Sequence, residues 1–215
     1  AFGRLDIVVA NAGIDHAATF HKQTLAEFRA VFDIGFFGNL HLAHAAWPHL
    51  LEQGYGRVVL TASSAGLYGN RGQAPYAAAK AAVIGLARVL AQEGQRANVR
   101  VNVIAPYGYS QMTAPYMPEP MARDFDPARV APLVGWLASE ACDLTGEVLV
   151  CGAGLVRRAS TGESPAAALP AAGAATGVAA AVAGLRTHPL HTYPSANDSF
   201  ARFVQEKQHL DGDSA

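Results

Sequence analysis

Tyr76 and Lys80 are the residues of this chain whose types and spacing most clearly indicate chemistry. Positions i and i+4 lie on one face of a helix, so the two side chains would be neighbours. A free tyrosine has a pKa near ~10, whereas an adjacent ammonium favours the phenolate and lowers that pKa. Ser63, earlier in the same segment, could hold a substrate oxygen against the phenol. Such a trio could reduce a carbonyl or oxidise an alcohol if another group carries the hydride. The alternative is a tyrosine and a solvated lysine on the surface of a helix.

Four short apolar runs indicate the strands that would position these residues. The runs lie at 5–13, 56–63, 99–106 and 146–154. They lack the alternation of a half-buried strand, and this is typical of strands buried on both faces of a parallel sheet.

Helical patterns separate these runs, at 24–53, 74–94 and 126–141. We expect the first helix to break near Gly35–Gly38, and Asp126 and Pro127 to cap and begin the third. Alternating strands and helices predict an α/β fold with a doubly wound parallel sheet.

The candidate residues fall at one edge of the predicted sheet. Asn11–Gly13 follow the first strand, Ser63 follows the second, and Pro106 ends the third. Tyr76 and Lys80 lie near the start of the next helix, on the same side. Ligands of such sheets bind beyond the carboxyl ends of the strands. This convergence favours a functional site over the surface-helix alternative.

Composition and charge limit the domain organisation, the classes of partner and the location that we expect for this protein. The chain has 215 residues, which suits one domain or one domain with an appendage. A net charge of −1 and a pI near 6.8 give no basic footprint for nucleic acid or an anionic membrane. The longest uncharged run, 164–185, is too weakly hydrophobic and too broken by Pro and Gly to predict a membrane span. Cys142 and Cys151 have no metal-site spacing, and we expect a reducing, cytoplasmic location.

Three segments are predicted along the chain. Residues 1–156 carry the α/β pattern, 157–193 form an Ala-, Gly- and Pro-rich linker or excursion, and 194–215 form a terminal helix and tail. The chain has no initiating Met and opens directly at a strand, so we expect it to be part of a longer protein.

The motifs together resemble those of the short-chain dehydrogenase/reductase family. The matching elements are NAG at 11–13, Ser63, YxxxK at 76–80 at the family's spacing from the serine, and AP at 105–106 followed by MT at 112–113. The resemblance covers roughly residues 1–156. Within the family, the segments GLYGNRGQAPYAAAKAAVIGLARVLAQEG and VIAPYGYSQMT are similar to the (3R)-hydroxyacyl-CoA dehydrogenase domains of multifunctional β-oxidation enzymes.

The resemblance implies a Rossmann-like fold, a nicotinamide cofactor (NAD or NADP, with NAD favoured) and a role for each catalytic residue. Tyr76 would exchange a proton with the substrate oxygen, and Ser63 would orient that oxygen. Lys80 would hydrogen-bond the nicotinamide ribose and depress the pKa of Tyr76.

The resemblance also implies further cofactor contacts. Asn11, Ala12 and Gly13 would close over the adenosine side. Pro106 and Tyr107 would face the nicotinamide, and Thr113 would face its amide or the pyrophosphate.

Tyr109 and Met112 belong to an aromatic and Met-rich stretch after the third strand. The resemblance implies a mobile substrate lid there, and adaptable apolar side chains suit an acyl chain or a sterol. The alternative is an irregular surface loop that packs on itself.

The chain departs from the family pattern in two places. The glycine-rich phosphate loop and the first strands are missing, and residues 176–184 mimic that loop poorly because Ala181 and Ala183 replace glycines. Gly35 occupies the position at which many members carry a catalytic Asn. Asn39, one turn further on, could substitute for it or could be an ordinary amide on the helix surface.

Two further features concern metals and assembly. His41, His44 and His49 share one helix without a carboxylate or thiol to complete a site, so no metal is expected.

The helices at 36–51 and 77–93 are apolar around much of their circumference. The family uses these two helices as a subunit interface, and a homodimer or homotetramer is expected.

The sequence therefore predicts an oxidoreductase that interconverts a secondary alcohol and a ketone with NAD(H) or NADP(H). The expected small-molecule substrate is a 3-hydroxyacyl-CoA or a related acyl or steroid compound. A 3-oxoacyl reductase or hydroxysteroid dehydrogenase is the nearest enzymatic alternative. A catalytically silent binding or assembly subunit is the alternative of another class.

Overall fold

The computed structural model describes residues 3–170 and 175–212, with the side chains of 177–210 described in the second stretch. The chain divides into two compact units, Ala1–Ala159 and Ser160–Ala215.

The first unit is built on one five-stranded sheet in which the strands follow chain order. Its strands are β1 (Ile7–Ala10), β2 (Gly56–Thr61), β3 (Val99–Pro106), β4 (Val148–Gly152) and β5 (Leu155–Ala159). The first four strands pair in parallel, and β5 returns antiparallel to β4. The doubly wound parallel sheet predicted from the apolar runs is confirmed. The predicted boundary at 156 falls inside β5, which the sequence analysis did not identify.

Helices join the strands of the first unit. They are α1 (Leu25–Phe32), α2 (Gly38–Glu52), α3 (Ser64–Tyr68), α4 (Ala74–Glu93) and α5 (Ala131–Leu137). A capping box between Thr24 and Glu27 starts α1. The break expected near Gly35–Gly38 takes the form of a π turn over Asp33–Phe37, which links α1 to α2.

Residues 126–141 were expected to form one helix, and this prediction was wrong in extent. Asp126 does act as a cap, accepting a hydrogen bond from the Ala128 N–H, but it caps only a 3-10 turn over Pro127–Arg129. The α-helix begins at Ala131. Pro132 has no N–H to donate, so it fits the first turn of a new helix better than the interior of a longer one.

The sheet has an apolar core on each face. On the first face, strand residues pack with α2 and α4; the cluster includes Val8, Val58, Leu60, Val101, Val103, Ala46, Leu50, Val83 and Ala87. On the second face, strand residues pack with α5 and its flanks: Val59, Ile104, Leu149, Cys151, Val130, Leu137 and Cys142. Ile7 and Val9 alternate with the buried residues of β1 and remain 47% and 42% exposed. The core is therefore centred on β2 and β3, and the candidate residues Ser63 and Pro106 lie at the carboxyl ends of these two strands.

The second unit contains α6 (Ala175–Leu185) and α7 (Ala196–Gly212). The segment predicted as a linker or partly helical excursion thus includes a helix, and the predicted terminal helix is present. Polar contacts hold this unit together: Glu163 and His191 exchange two backbone hydrogen bonds of 2.8 Å, and Ser199 Oγ donates to the Glu163 carboxylate.

One helix in the described part of the chain, α4, has the length and apolar composition of a membrane span. Core helices of globular domains pass the same test, and the buried residues of α4, among them Val83 and Ala87, pack in the first-face cluster.

Candidate active site

Ser63 is held at the end of β2 by the start of α3. It is the N-cap of that helix, with extended backbone, and its Oγ accepts a hydrogen bond of 3.2 Å from the Ala65 N–H. Its hydroxyl lies close enough to the Tyr76 phenol to lower the pKa of that phenol. The structure therefore brings together the serine and tyrosine that the sequence analysis paired.

Tyr76 and Lys80 occupy the first two turns of α4. The Lys80 Nζ lies 5.8 Å from the centroid of the Tyr76 ring, as the i, i+4 spacing predicts. Lys80 is only 2% exposed, and its Nζ donates to the Thr61 carbonyl at 2.7 Å. The lysine is thus a fixed part of the interior, and the alternative of a solvated lysine on a helix surface is excluded.

Gly13 provides the space for this lysine. A Cβ at position 13 would lie 3.3 Å from the Lys80 Nζ, closer than side chains ordinarily pack. The NAG turn after β1, the end of β2 and α4 therefore meet around one ammonium group.

A second glycine allows α3 to approach α4. A Cβ at Gly66 would lie 2.7 Å from the carbonyl carbon of Lys80 and 2.8 Å from the nitrogen of Ala81. Only a residue without a side chain fits this crossing. Ser63, three residues earlier, owes its position beside Tyr76 partly to this contact.

Burial dominates the proton affinities in the site. It lowers the pKa of Lys80 to about 8. The pKa of Tyr76 is raised, first by burial and then by the negative charge of Asp15, although the hydrogen bond from Ser63 acts in the opposite direction. The expectation that Lys80 would leave Tyr76 with a depressed pKa is therefore wrong for the protein alone, because removing the phenolate from water outweighs the effect of Ser63.

The remaining residues of the NAG turn lie near the surface. Asn11 and Ala12 are exposed, and the Asn11 Oδ1 accepts a hydrogen bond of 3.2 Å from the Thr61 hydroxyl. Thr61 thus ties the turn to β2 through its side chain and holds Lys80 through its carbonyl.

The segment after β3 begins in contact with β4. Pro106 ends β3, and the Tyr107 N–H donates to the Cys151 carbonyl at 2.7 Å. A Cβ at Gly152 would lie 2.6 Å from the Tyr107 carbonyl oxygen. The backbone of Tyr107 is therefore already engaged, and its side chain remains partly exposed.

Thr113 forms its hydrogen bonds inside its own loop. Its Oγ1 donates to the Gly108 carbonyl at 2.6 Å and accepts from the Ser110 N–H at 2.8 Å. Tyr109 is fixed by its N–H to the Phe125 carbonyl, and Met112 is 37% exposed. The described contacts of these three residues are thus separate from the trio, and their predicted ligand contacts stay predictions.

Gly35 lies buried in the π turn, where a Cβ would meet the Ala79 Cβ at 3.5 Å. The Asn39 side chain reaches back one turn and donates from Nδ2 to the Gly35 carbonyl at 2.9 Å. Asn39 is 2% exposed, and its Oδ1 has no hydrogen-bond partner among the described residues. The alternative of an ordinary surface amide is therefore wrong, while a catalytic role for Asn39 stays a prediction.

The histidines singled out by the sequence lie along α2, and His41 stacks on Phe37. Within residues 3–170 and 175–212, no three His, Cys, Asp or Glu side chains group in a way that could hold a metal ion. The glycines of the 176–184 motif lie in α6, so they do not form a phosphate-binding turn.

Sequence reasoning did not identify Asp15 and Gln73. The Gln73 Nε2 donates to the Asp15 carboxylate, which links the loop after β1 to the residue preceding α4. No spacing rule joins positions so far apart in the chain. Their only signal was proximity to NAG and YxxxK.

Comparison with known proteins identifies the class. The family model for short chain dehydrogenases matches residues 1–119. The chain belongs to the short-chain dehydrogenase/reductase family, whose members are oxidoreductases that act on CH–OH groups.

Individual relatives support the same family assignment. A short-chain type dehydrogenase/reductase of Mycobacterium tuberculosis is 42% identical over 73% of this chain and 55% of its own length. The peroxisomal multifunctional enzyme type 2 of Mus musculus is 41% identical over 72% of this chain and 21% of its own length. An acetoacetyl-CoA reductase of an Acinetobacter strain is 38% identical over 72% of this chain and 67% of its own length. The chain thus spans about half the length of the first relative and a fifth of the second.

A solved structure extends the similarity beyond the matched sequence. The full-length peroxisomal multifunctional enzyme type 2 of Drosophila melanogaster aligns with a TM-score of 0.83 and 28% identity, over 94% of this chain and 38% of the other. That coverage reaches past the first unit, which ends at Ala159.

The residues around Lys80 fit the nicotinamide cofactor that the family uses. A lysine ammonium has three donor hydrogens, and one of them is used by the Thr61 carbonyl. The others are available for ribose hydroxyls, while Gly13 keeps the ammonium free of side-chain crowding. A glycine-rich phosphate loop is not found in the described ranges.

Proposed function

We propose that this chain carries the proton-transfer part of an NAD(P)-dependent oxidoreductase that interconverts a 3-hydroxyacyl thioester and its 3-oxoacyl form. The observation that carries the proposal is the trio itself. A phenol next to the Ser63 hydroxyl lies beside a buried Lys80 that is anchored on a backbone carbonyl. A merely structural helix gains nothing from enclosing a lysine, because burying an ammonium is unfavourable.

Each member of the trio has one task in this proposal. During reduction, the Tyr76 phenol donates its proton to the carbonyl oxygen, which becomes the hydroxyl, and Tyr76 then regains a proton from solvent. Ser63 donates a hydrogen bond that orients the same oxygen. Lys80 holds the ribose, and its charge stabilises the transient phenolate. A bound nicotinamide would supply or accept the hydride at the substrate carbon.

The substrate class is inferred from the relatives and from the loop after β3. Relatives named as multifunctional peroxisomal enzymes and an acetoacetyl-CoA reductase favour an acyl thioester. The loop contributes Tyr109 and Met112 as the proposed substrate contacts, and Met112 offers a flexible apolar side chain. An acyl chain needs such adaptable surface more than it needs fixed polar contacts.

Two other functions compete with this one. A relative named as a 3-oxoacyl-[acyl-carrier-protein] reductase supports a carrier-protein thioester, and an apolar lid also suits a hydroxysteroid. A catalytically silent subunit is supported by Gly35, which cannot supply the amide many family members use. The complete trio argues against silence, since a silent subunit has no need of all three residues.

We further propose NAD as the cofactor, a homodimer or homotetramer formed through α2 and α4, and a cytoplasmic location. Exposed apolar residues on these helices, Leu42 and Val89, support assembly. The two cysteines are free and buried, in keeping with a reducing compartment.

The test is a substrate panel with the full-length protein that contains this chain. Oxidation of NADH and of NADPH is followed with 3-oxoacyl-CoA thioesters, 3-oxoacyl carrier-protein thioesters and a 3-ketosteroid. We expect the highest kcat/KM with a 3-oxoacyl-CoA and NADH. Preference for the steroid or the carrier protein would replace the proposed substrate, and no turnover with any ketone would favour the silent subunit.

A further inference from the structure

A polar contact ties two loops together beside Tyr76. Gln73 is the last residue before α4, and its Nε2 donates to the Asp15 Oδ2. The Gln73 Oε1 accepts a hydrogen bond of 2.7 Å from the Asn70 side chain. Next to these side-chain hydrogen bonds, the Ala18 N–H donates to the Gly72 carbonyl at 2.9 Å. The loop after β1 is thus fastened by side chain and backbone to the loop that leads into the catalytic helix.

The contact lies at the positive end of α4. Gln73 occupies the N-cap position but makes no side-chain cap bond, and Tyr76 is the third residue of the helix. The first N–H groups of a helix carry a partial positive charge, which favours anions nearby. Without a compensating charge, this end of α4 would favour the phenolate of Tyr76.

Asp15 supplies that compensating charge. Two side chains shift the pKa of the phenol, Ser63 from the start of α3 and Asp15 from the loop after β1. The Lys80 Nζ, from α4 itself, lies 5.8 Å from the centroid of the ring. The Asp15 Oδ1 is buried and has no hydrogen-bond partner within the described ranges, so the hydrogen bond from Gln73 satisfies only one of the two carboxylate oxygens. Its negative charge raises the pKa of Tyr76, which burial has already raised.

We propose that Asp15 is a positioning residue that fixes the start of α4 through Gln73 and that its charge opposes ionisation of the Tyr76 phenol. The proposal rests on the proposed function, because only a proton-transferring Tyr76 makes this matter to activity. In this proposal the charge of Asp15 disfavours the Tyr76 phenolate, which alcohol oxidation requires, and leaves the phenol form, which donates a proton to a ketone.

The charge effect is tested first in the absence of cofactor. Phenolate absorbance is titrated for the protein and its Tyr76→Phe variant, and the difference gives the Tyr76 midpoint. Asp15→Asn keeps an acceptor for Gln73 but removes the charge, so the midpoint should move to lower pH. Glu93→Gln removes an equal charge at the exposed far end of α4 and should leave the midpoint unchanged.

The positioning effect is tested by kinetics of the full-length protein. Gln73→Ala leaves the Asp15 charge but breaks the contact, and we expect kcat to fall roughly tenfold or more through misplacement of the phenol. Asp15→Asn should shift the rising limb of alcohol oxidation to lower pH with KM nearly unchanged. Melting curves verify that every variant is folded.

Two results would overturn the proposal. One is a Tyr76 midpoint in Asp15→Asn that equals that of Glu93→Gln. The other is a kcat for Gln73→Ala equal to that of the unaltered protein. If the full-length protein reduces no ketone, the proposed function fails, but the phenolate titration still decides whether Asp15 controls Tyr76.

Discussion

At the residue scale, Lys80 is a charged side chain that is almost completely removed from water. It is enclosed at the meeting point of the NAG turn, the end of β2 and α4, and only the Thr61 carbonyl among described groups accepts its hydrogen bond. Burial lowers its pKa from 10.5 to about 8. The fold therefore keeps an ammonium in a place that by itself favours the neutral amine, as a site organised for a ligand rather than for stability would.

This lysine should leave a signature in the pH dependence of stability. Between pH 8 and 10.5 the unfolded chain binds a proton at Lys80 that the folded chain has lost, so the free energy of unfolding rises with pH across that interval. The rise amounts to roughly 3 kcal/mol for a shift of this size.

Urea unfolding at both ends of the interval measures the effect. Lys80→Met should lack the rise, whereas Lys22→Met, on an exposed lysine, should keep it. Parallel pH curves for the unaltered protein and Lys80→Met would show that the lysine is not destabilised by burial.

At the element scale, the crossing of α3 and α4 sets the geometry of the trio. Gly66→Ala should destabilise the protein by about 1–3 kcal/mol, because the added methyl meets backbone atoms of Lys80 and Ala81 that cannot move independently. The displaced α3 should also separate Ser63 from Tyr76 and lower turnover.

Gly85→Ala is the matched control. Its Cβ would meet nothing within 4 Å, so the substitution should stabilise α4 by roughly 0.5–1 kcal/mol through helix propensity. Thermal unfolding of both variants makes the comparison. Equal melting temperatures for the two would contradict close packing at Gly66.

The elements predicted from sequence were those with strong apolar patterns. β2, β3 and β4 are buried on both faces, and continuous apolar runs mark them. β5 was missed because its residues, LVRRA, are mostly exposed and carry two arginines. Its pairing depends on a tight return at Ala153 and Gly154, both with positive φ, which no apolar pattern reveals.

The site was predicted as far as spacing along one helix or one strand end allowed. Tyr76, Lys80, Ser63 and Gly13 could be placed together because parallel strands end at the same edge. The contact between Asp15 and Gln73 could not be predicted, since it joins two irregular loops. The raised pKa of Tyr76 also required the structure, because burial and the Asp15 charge depend on how those loops fold.

At the scale of the whole molecule, the chain contains a family site but spans only part of its relatives. The first unit ends with β5, and the second unit is a separate body with α6 and α7. The three relatives compared above match this chain over 21% to 67% of their own lengths. Activity is therefore a property to test in the full-length protein, with the trio of this chain as the part that transfers the proton.

The most direct test of that claim is the turnover of Tyr76→Phe in the full-length protein with a 3-oxoacyl-CoA and reduced cofactor. Loss of the phenolic hydroxyl should lower kcat at least ~100-fold, as expected when a general acid is removed. Tyr68→Phe, which alters a tyrosine that is 77% exposed on α3, should keep full activity. Full turnover by Tyr76→Phe, folded as shown by its melting curve, would contradict the account.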